Sequence, residues 1–322
     1  MVSLRSDSPA RSRAPVLVAG ATGFLGRSVV RAISRTGIEV RGLVRDPRKQ
    51  ELVREDGGIP VSGDVLDVPS LRRALAGCGA VIQLAANPPP PTDPARVRVE
   101  GTQNIATAAR REGVGRLVIG SGYWVYRGQA ELIREDSPVD PRGESRLNYD
   151  AERAGLEANS PGGLEVLVVR PGMVYGNGSW FRDFAQAIGA GEYQVVGGGA
   201  NRWSFVERGD AGTAFRAILE SGMGAEVYNV VDGHPAPLRD FADLVAAELG
   251  APSPPNLSLR EAAHEMGEVI THHLAADRPT SADKLKALGW KPYFSSVQDG
   301  VPGLLREMFP RGASTAPLGP TG

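Results

Sequence analysis

The chain has 322 residues, long enough for a large core and two lobes, and its 41% hydrophobic and 23% charged residues are those of an ordinary globular protein. Lys plus Arg number 36 and Asp plus Glu 37, so the basic surplus of a nucleic-acid binder is missing, and no run of about 18 apolar residues predicts a membrane partner. A single cysteine, Cys78, excludes an intramolecular disulfide and suits a reducing cytoplasm, and His234, His264, His272 and His273 lack metal-ligand spacing.

In chain order, "MVSLRSDSPARSRAP" has arginines and serines but no apolar stretch of a signal peptide, and residues 1–14 are read as a disordered tail. "APVLVAG" is a strand, and "FLGRSVVRAISRTG" a helix with a glycine stop at Gly37. "IEVRGLV" is a second strand, "ELVRED" a short helix, "IPVSGD" a third strand, "VPSLRRALAG" a helix and "AVIQLAA" a fourth strand. "NPPPPTDP" is a rigid loop, because proline fixes φ and removes a donor. A long helix, "ARVRVEGTQNIATAARREG", leads into the strand "GRLVIG". This alternation predicts a parallel, doubly wound α/β sheet of the Rossmann type over 15–174. Residues 175–310 are expected to form mainly a smaller substrate lobe with strands returning to the sheet, followed by a second disordered tail over 311–322.

"VLVAGATGFLG" sets Gly20, Gly23 and Gly26 three apart between a strand and a helix. Gly20 permits the tight turn, Gly23 the approach of a pyrophosphate, and Gly26 close helix–strand packing. The helix start at Thr22, Phe24 and Leu25 then offers free N–H groups to phosphate. Arg45 stands after the second strand, where an NAD site carries an acid. It favours NADP over NAD by pairing a 2′-phosphate; alternatively it is solvated, and Asp46 holds the ribose or caps the next helix. Asp64 and Val65 follow the third strand, at an adenine edge or in a turn.

These stretches resemble the extended short-chain dehydrogenase/reductase family, also called the NAD-dependent epimerase/dehydratase family. "GATGFLG" is similar to its cofactor turn, and "AVIQLAA" to its fourth-strand motif, with Gln83 where histidine is common. "VRVEGTQNIATAARREGVGRLV" resembles its long helix and fifth strand, with Arg98 where asparagine is usual. "VVRPGMVYGNGS", "EVYNVVDGHPAPLRDFADLVAAELG" and "ADKLKALGWKP" resemble its later segments. The resemblance implies NADP or NAD as cofactor, contacts from Leu84, Ala85, Ala86, Arg170 and Pro171, and a homodimer through two long helices. It also implies a catalytic Tyr-x-x-x-Lys pair and a Ser or Thr hydroxyl after the fifth strand. Here the pair is Tyr149-x-x-x-Arg153, on one helix face. Arginine keeps the charge but not the shape of lysine. Counting back from Val125-Tyr126 puts Gly122 at the hydroxyl's position, which leaves Ser121 or Tyr123 as substitutes.

On the substrate side, "GNGSWFRDF" and "GGGANRWSFVERGD" carry Asn177, Trp180, Arg202 and Trp203, with Glu207 where the family has histidine. Arg202 is placed to grip a diphosphate; alternatively Trp124, Trp180, Phe181 and Trp203 wall a less polar compound. The implied activity is an NAD(P)-dependent oxidoreductase, epimerase or dehydratase acting on a small polyol, sugar derivative or ketone. The altered pair keeps two alternatives open, a non-redox enzyme on the same scaffold and a dinucleotide-sensing protein without turnover.

Overall fold

The computed structural model describes residues 14–310, so the expected tails lie outside the described residues except at position 14. The first half follows the strand–helix alternation: β1 (Val16–Ala19), α1 (Phe24–Ser34), β2 (Val40–Val44), α2 (Gln50–Glu55), β3 (Ile59–Ser62), α3 (Val68–Leu75), β4 (Ala80–Gln83), α4 (Gly101–Arg111), β5 (Arg116–Gly120), α5 (Glu144–Leu156) and β6 (Glu165–Pro171). Then come α6 (Ser179–Gly189), α7 (Arg208–Ser221), a last sheet strand β7 (Val227–Val230) and α8 (Leu238–Leu249). The sheet is parallel with order β7-β6-β5-β4-β1-β2-β3. Its seventh strand comes from the irregular second half of the chain.

Alternate residues of the central strands face two cores. Val16 and Val18 pack with Val29, Val30 and Ile33 of α1 and Phe215 and Ile218 of α7. Leu17 and Ala19 pack with Leu71 and Leu75 of α3 and with Ile105 and Ala109 of α4. Backbones approach closely where side chains are absent. A Cβ on Gly212 of α7 would lie 2.6 Å from the Ser28 carbonyl of α1. The small residues of "IATAA" in α4 pack into this chain's own core: Ile105, Ala106, Ala108 and Ala109 are buried. The outward residues of α4 are Gln103, Thr107, Arg110 and Arg111.

The smaller lobe is built on Phe181, Phe184, Phe205, Phe241, Val245, Val301 and Leu305. Its strands are pairs of two or three residues: 173–175 with 205–207, 202–203 with 236–237, and 195–196 with 256–257. Among the described residues no helix is long and apolar enough to cross a membrane, and no cluster of three or more His, Cys, Asp or Glu could hold a metal.

Candidate active site

Because the strands are parallel, their C-terminal ends share one edge, and the order reverses direction between β1 and β4. Such a switch point is where an open α/β sheet takes a ligand. The glycine turn lies there. Gly20 has φ +80°, and a Cβ on it would fall 2.6 Å from the Leu84 carbonyl carbon and 2.7 Å from the Ala85 nitrogen. A Cβ on Gly26 would fall 2.0 Å from the Gly20 oxygen. Gly23 differs: its Cβ would meet only the Gly20 oxygen, at 3.2 Å, and otherwise open space. Gly23 is also the N-cap of α1, no side chain caps that end, and its first turn holds no acid. The first N–H groups of α1, on Phe24 and Leu25, therefore face a hollow that glycine keeps free, which fits an anionic pyrophosphate.

The neighbouring strand ends complete this cleft. Arg45 is exposed and has no hydrogen-bond or ion-pair partner among the described residues. Asp46 accepts from the Arg48 backbone at 3.1 Å and from its guanidinium at 3.0 and 2.9 Å, so it caps the following turn. Asp64 accepts from the Leu66 N–H at 2.9 Å in a turn of its own, and Val65 is buried against Gly101. Thr22, Leu84, Ala85 and Ala86 are half-buried at the edge.

The catalytic candidates separate into two groups. Tyr149 is half-buried against the cluster of Tyr123, Val125, Tyr126 and Ile133, and Arg153 is exposed one turn on. Neither side chain has a hydrogen-bond partner among the described residues, so both are available to a bound molecule. The two expected substitutes for the missing hydroxyl are not. Ser121 Oγ, half-buried, donates to Oε1 of the buried Glu152 at 2.5 Å. Tyr123 is fully buried with an unpartnered hydroxyl, and burial pushes its phenol well above the ordinary range. The phenol of Tyr126 is also raised, to about 12, mainly by burial; it donates to Asn229 Oδ1 at 2.8 Å.

Arg170, expected at the cofactor, is committed elsewhere. Its Nε and Nη2 donate to the two oxygens of Glu152 at 2.9 and 2.5 Å, and its guanidinium lies 4.7 Å from the Tyr126 ring centroid. Burial opposes its charge, but the Glu152 hydrogen bonds and charge outweigh burial and raise its pKa. Glu152 thus ties Ser121, α5 and β6 together, a role the sequence reading missed. An arginine ending the apolar run "VLVVRP" required a buried carboxylate; nothing local said which one.

The substrate loops need a similar correction. Arg202 is held by Asp277, with Nη2 at 2.6 Å and Nε at 3.1 Å, and also donates to the Ala130 carbonyl. It is no free diphosphate grip. Trp203 is buried, and Trp180 donates to the Val174 carbonyl at 2.7 Å within the aromatic core of the lobe. Asn177 accepts from Arg182 at 2.6 Å. Trp124 remains partly open. It is held edge-on by Trp203 and His273, with the buried Arg278 guanidinium 5.3 Å from its centroid. Glu207 caps α7, accepting from the Asp210 N–H at 3.1 Å.

Two arginines emerge that the sequence reading had not used. Arg208, first residue of α7, lies 5.1 Å from the ring centroid of Phe24, the first residue of α1. It has no ion-pair partner among the described residues, and burial lowers its pKa. Arg98 is buried on a π-type turn, Arg96–Glu100, that leads into α4. Such turns recur at functional sites. Arg98 donates to the carbonyls of Ala86 at 3.3 Å and Glu144 at 3.1 Å, and to Asn148 Oδ1 at 3.2 Å.

A dinucleotide cleft at the switch point, with an unencumbered tyrosine beside the ends of β5 and β6, defines an enzyme of the short-chain dehydrogenase/reductase type. The comparison with known proteins makes this specific: the chain belongs to the NAD-dependent epimerase/dehydratase family, whose model matches residues 16–231. It is 33% identical to the 3-diazoavenalumate denitrifying reductase of a Streptomyces species over 89% of this chain and 98% of that one. It is 30% identical to a 4-hydroxy-2-methyl-3-oxo-4-farnesyl-3,4-dihydroquinoline-1-oxide ketoreductase of Stigmatella aurantiaca, covering 83% and 84% of the two chains. The fold is similar to that of a nucleoside-diphosphate-sugar epimerase from Pseudomonas aeruginosa, with TM-score 0.77 and 23% identity over 92% and 97% of the chains.

Proposed function

We propose that this enzyme is an NADPH-dependent reductase of a carbonyl group on a weakly polar, aromatic small molecule. The observation that carries this reading is the fate of Arg202. With its guanidinium bound by Asp277, the loop that resembles a nucleotide-sugar grip has no free cation there, while Trp124 stays partly exposed among aromatic neighbours. The name of the ketoreductase relative points the same way, and that of the denitrifying reductase points to a reduction of a diazo compound.

When bound, the reduced nicotinamide supplies a hydride. The chain's residues do the rest. Gly23 and the start of α1 hold the pyrophosphate, and the unpaired Arg45 takes the 2′-phosphate, since Asp46 is occupied by Arg48. Tyr149 gives its phenolic proton to the substrate oxygen. Arg153, at the position of the family's lysine, stabilises the tyrosinate by proximity of charge. Trp124 stacks on the substrate and keeps water off one side.

The test is reduction of a panel of aryl ketones and aldehydes, such as acetophenone, benzil and cinnamaldehyde, with NADPH and NADH in parallel. Turnover with NADPH at lower cofactor concentration than with NADH is expected. Binding of NADPH without reduction of any panel member would defeat the reading.

A further inference from the structure

The reductase reading leaves one role without a side chain. The hydroxyl that the family places after the fifth strand corresponds to Gly122, and the flanking hydroxyls of Ser121 and Tyr123 are both sequestered. Gly122 has extended backbone, φ −170° and ψ 153°, which any residue adopts. A Cβ built on it would meet Asn148 Nδ2 at 3.6 Å and the Pro171 carbonyl oxygen at 4.0 Å, and nothing nearer. The notch where a hydroxyl side chain would stand is open, and the Asn148 amide nitrogen borders it.

The orientation of that amide follows from chemistry. Arg98 Nη1 lies 3.2 Å from one of its two terminal atoms. A guanidinium only donates, so the atom facing Arg98 is the acceptor Oδ1, and the atom facing the notch is the donor Nδ2. Nδ2 has no acceptor among the described residues. Arg98 is itself fixed from several sides, by the Ala86 and Glu144 carbonyls, the Glu144 carboxylate at 3.2 Å, and Asn87 Oδ1. A pre-oriented NH2 donor therefore borders the open notch where the family's hydroxyl would meet the substrate oxygen.

We infer that Asn148 is a catalytic residue whose Nδ2 donates a hydrogen bond to the substrate carbonyl oxygen, replacing the family's hydroxyl, with Arg98 as its positioning residue. In the step, the C=O π bond breaks, the carbon gains the hydride of the reduced nicotinamide, and the oxygen gains the Tyr149 proton. The substrate is reduced by two electrons, the nicotinamide is oxidised by two, and Tyr149 recovers its proton from water. Charge gathers on the oxygen before the proton arrives, and a preorganised donor aimed at that oxygen stabilises it.

The inference rests on the reductase reading, and the experiment separates the two. Asn148→Asp keeps an acceptor for Arg98 but has no N–H, and Asn148→Ala removes both. Each should lower kcat for the panel carbonyls by roughly 10²–10³-fold, the usual effect of losing one oxyanion donor. NADPH affinity by calorimetry and the melting temperature should stay at wild-type values. Adding Gly122→Ser to Asn148→Ala should restore part of the lost kcat, because a hydroxyl then enters the notch. Wild-type kcat in Asn148→Asp overturns the inference and leaves the reductase reading standing. A loss of kcat that tracks a fall in melting temperature, with no rescue by Gly122→Ser, assigns Asn148 a structural role and also overturns it. Wild-type protein that reduces no carbonyl overturns both.

Discussion

Glu152→Gln should destabilise the protein by about 3–5 kcal/mol, the range for removing one partner of a buried ion pair. Glu152 is 1% exposed and Arg170 5%. The carboxylate accepts three hydrogen bonds, from Ser121 Oγ at 2.5 Å and from Arg170 Nε and Nη2 at 2.9 and 2.5 Å. Glutamine keeps the shape and one acceptor oxygen, but turns the other oxygen into a donor facing a second donor. Arg170 would then be a buried cation compensated chiefly by the Tyr126 ring, 4.7 Å away, an interaction worth up to about 2 kcal/mol when desolvated. For a chain of this size the loss corresponds to a fall in melting temperature on the order of 10 °C. Urea unfolding followed by tryptophan fluorescence, with a thermal melt by circular dichroism, reads both quantities. The folded variant should bind NADPH as the wild type does, because Arg170 faces the core. A loss below about 1 kcal/mol, the level of an exposed pair, would refute the buried tie between α5 and β6.

Gly23→Ala should fold, since its Cβ meets only one oxygen at 3.2 Å, but calorimetry should show weakened NADPH binding where the methyl fills the phosphate hollow; unchanged affinity would move the pyrophosphate elsewhere. Arg45→Ala should weaken NADPH binding and spare NADH, and an equal loss for both would remove the 2′-phosphate assignment. Asp232 is buried with Oδ2 unpartnered, and burial pushes its carboxyl up to about 7 despite the nearby Lys286. Between the ordinary value and about 7 the folded chain therefore holds a proton that the unfolded chain releases. That contribution to stability is present at acidic pH and fades as pH rises, by roughly 2 kcal/mol between about pH 5 and 7. Asp232→Asn should flatten this dependence in urea titrations, and an unaltered slope would contradict it.

The dinucleotide half was legible because its signals are local. β1 through β5 alternate with helices at regular spacing, and three glycines mark the turn. What escaped was decided by contacts distant in sequence. Ser121 reads as a site hydroxyl until Glu152, 31 residues on, is seen to hold it. Arg202 reads as a phosphate grip until Asp277, 75 residues on, binds it. In the smaller lobe the strands are two or three residues long, too short for any period, and aromatic residues such as Trp180 and Trp203 serve packing. Asn148 carries no pattern in the sequence, and the role proposed for it depends on the open position at Gly122 and the buried Arg98.

The central claim is that a bound carbonyl is reduced with Tyr149 as its proton donor. The most direct measurement is the loss of reduced-nicotinamide absorbance with the aryl carbonyl panel, comparing wild type with Tyr149→Phe and identifying the alcohol by mass spectrometry. The variant keeps the ring and its packing while removing the proton, so kcat should fall by roughly 10²–10⁴-fold with NADPH affinity intact. Undiminished alcohol formation by Tyr149→Phe would contradict the account.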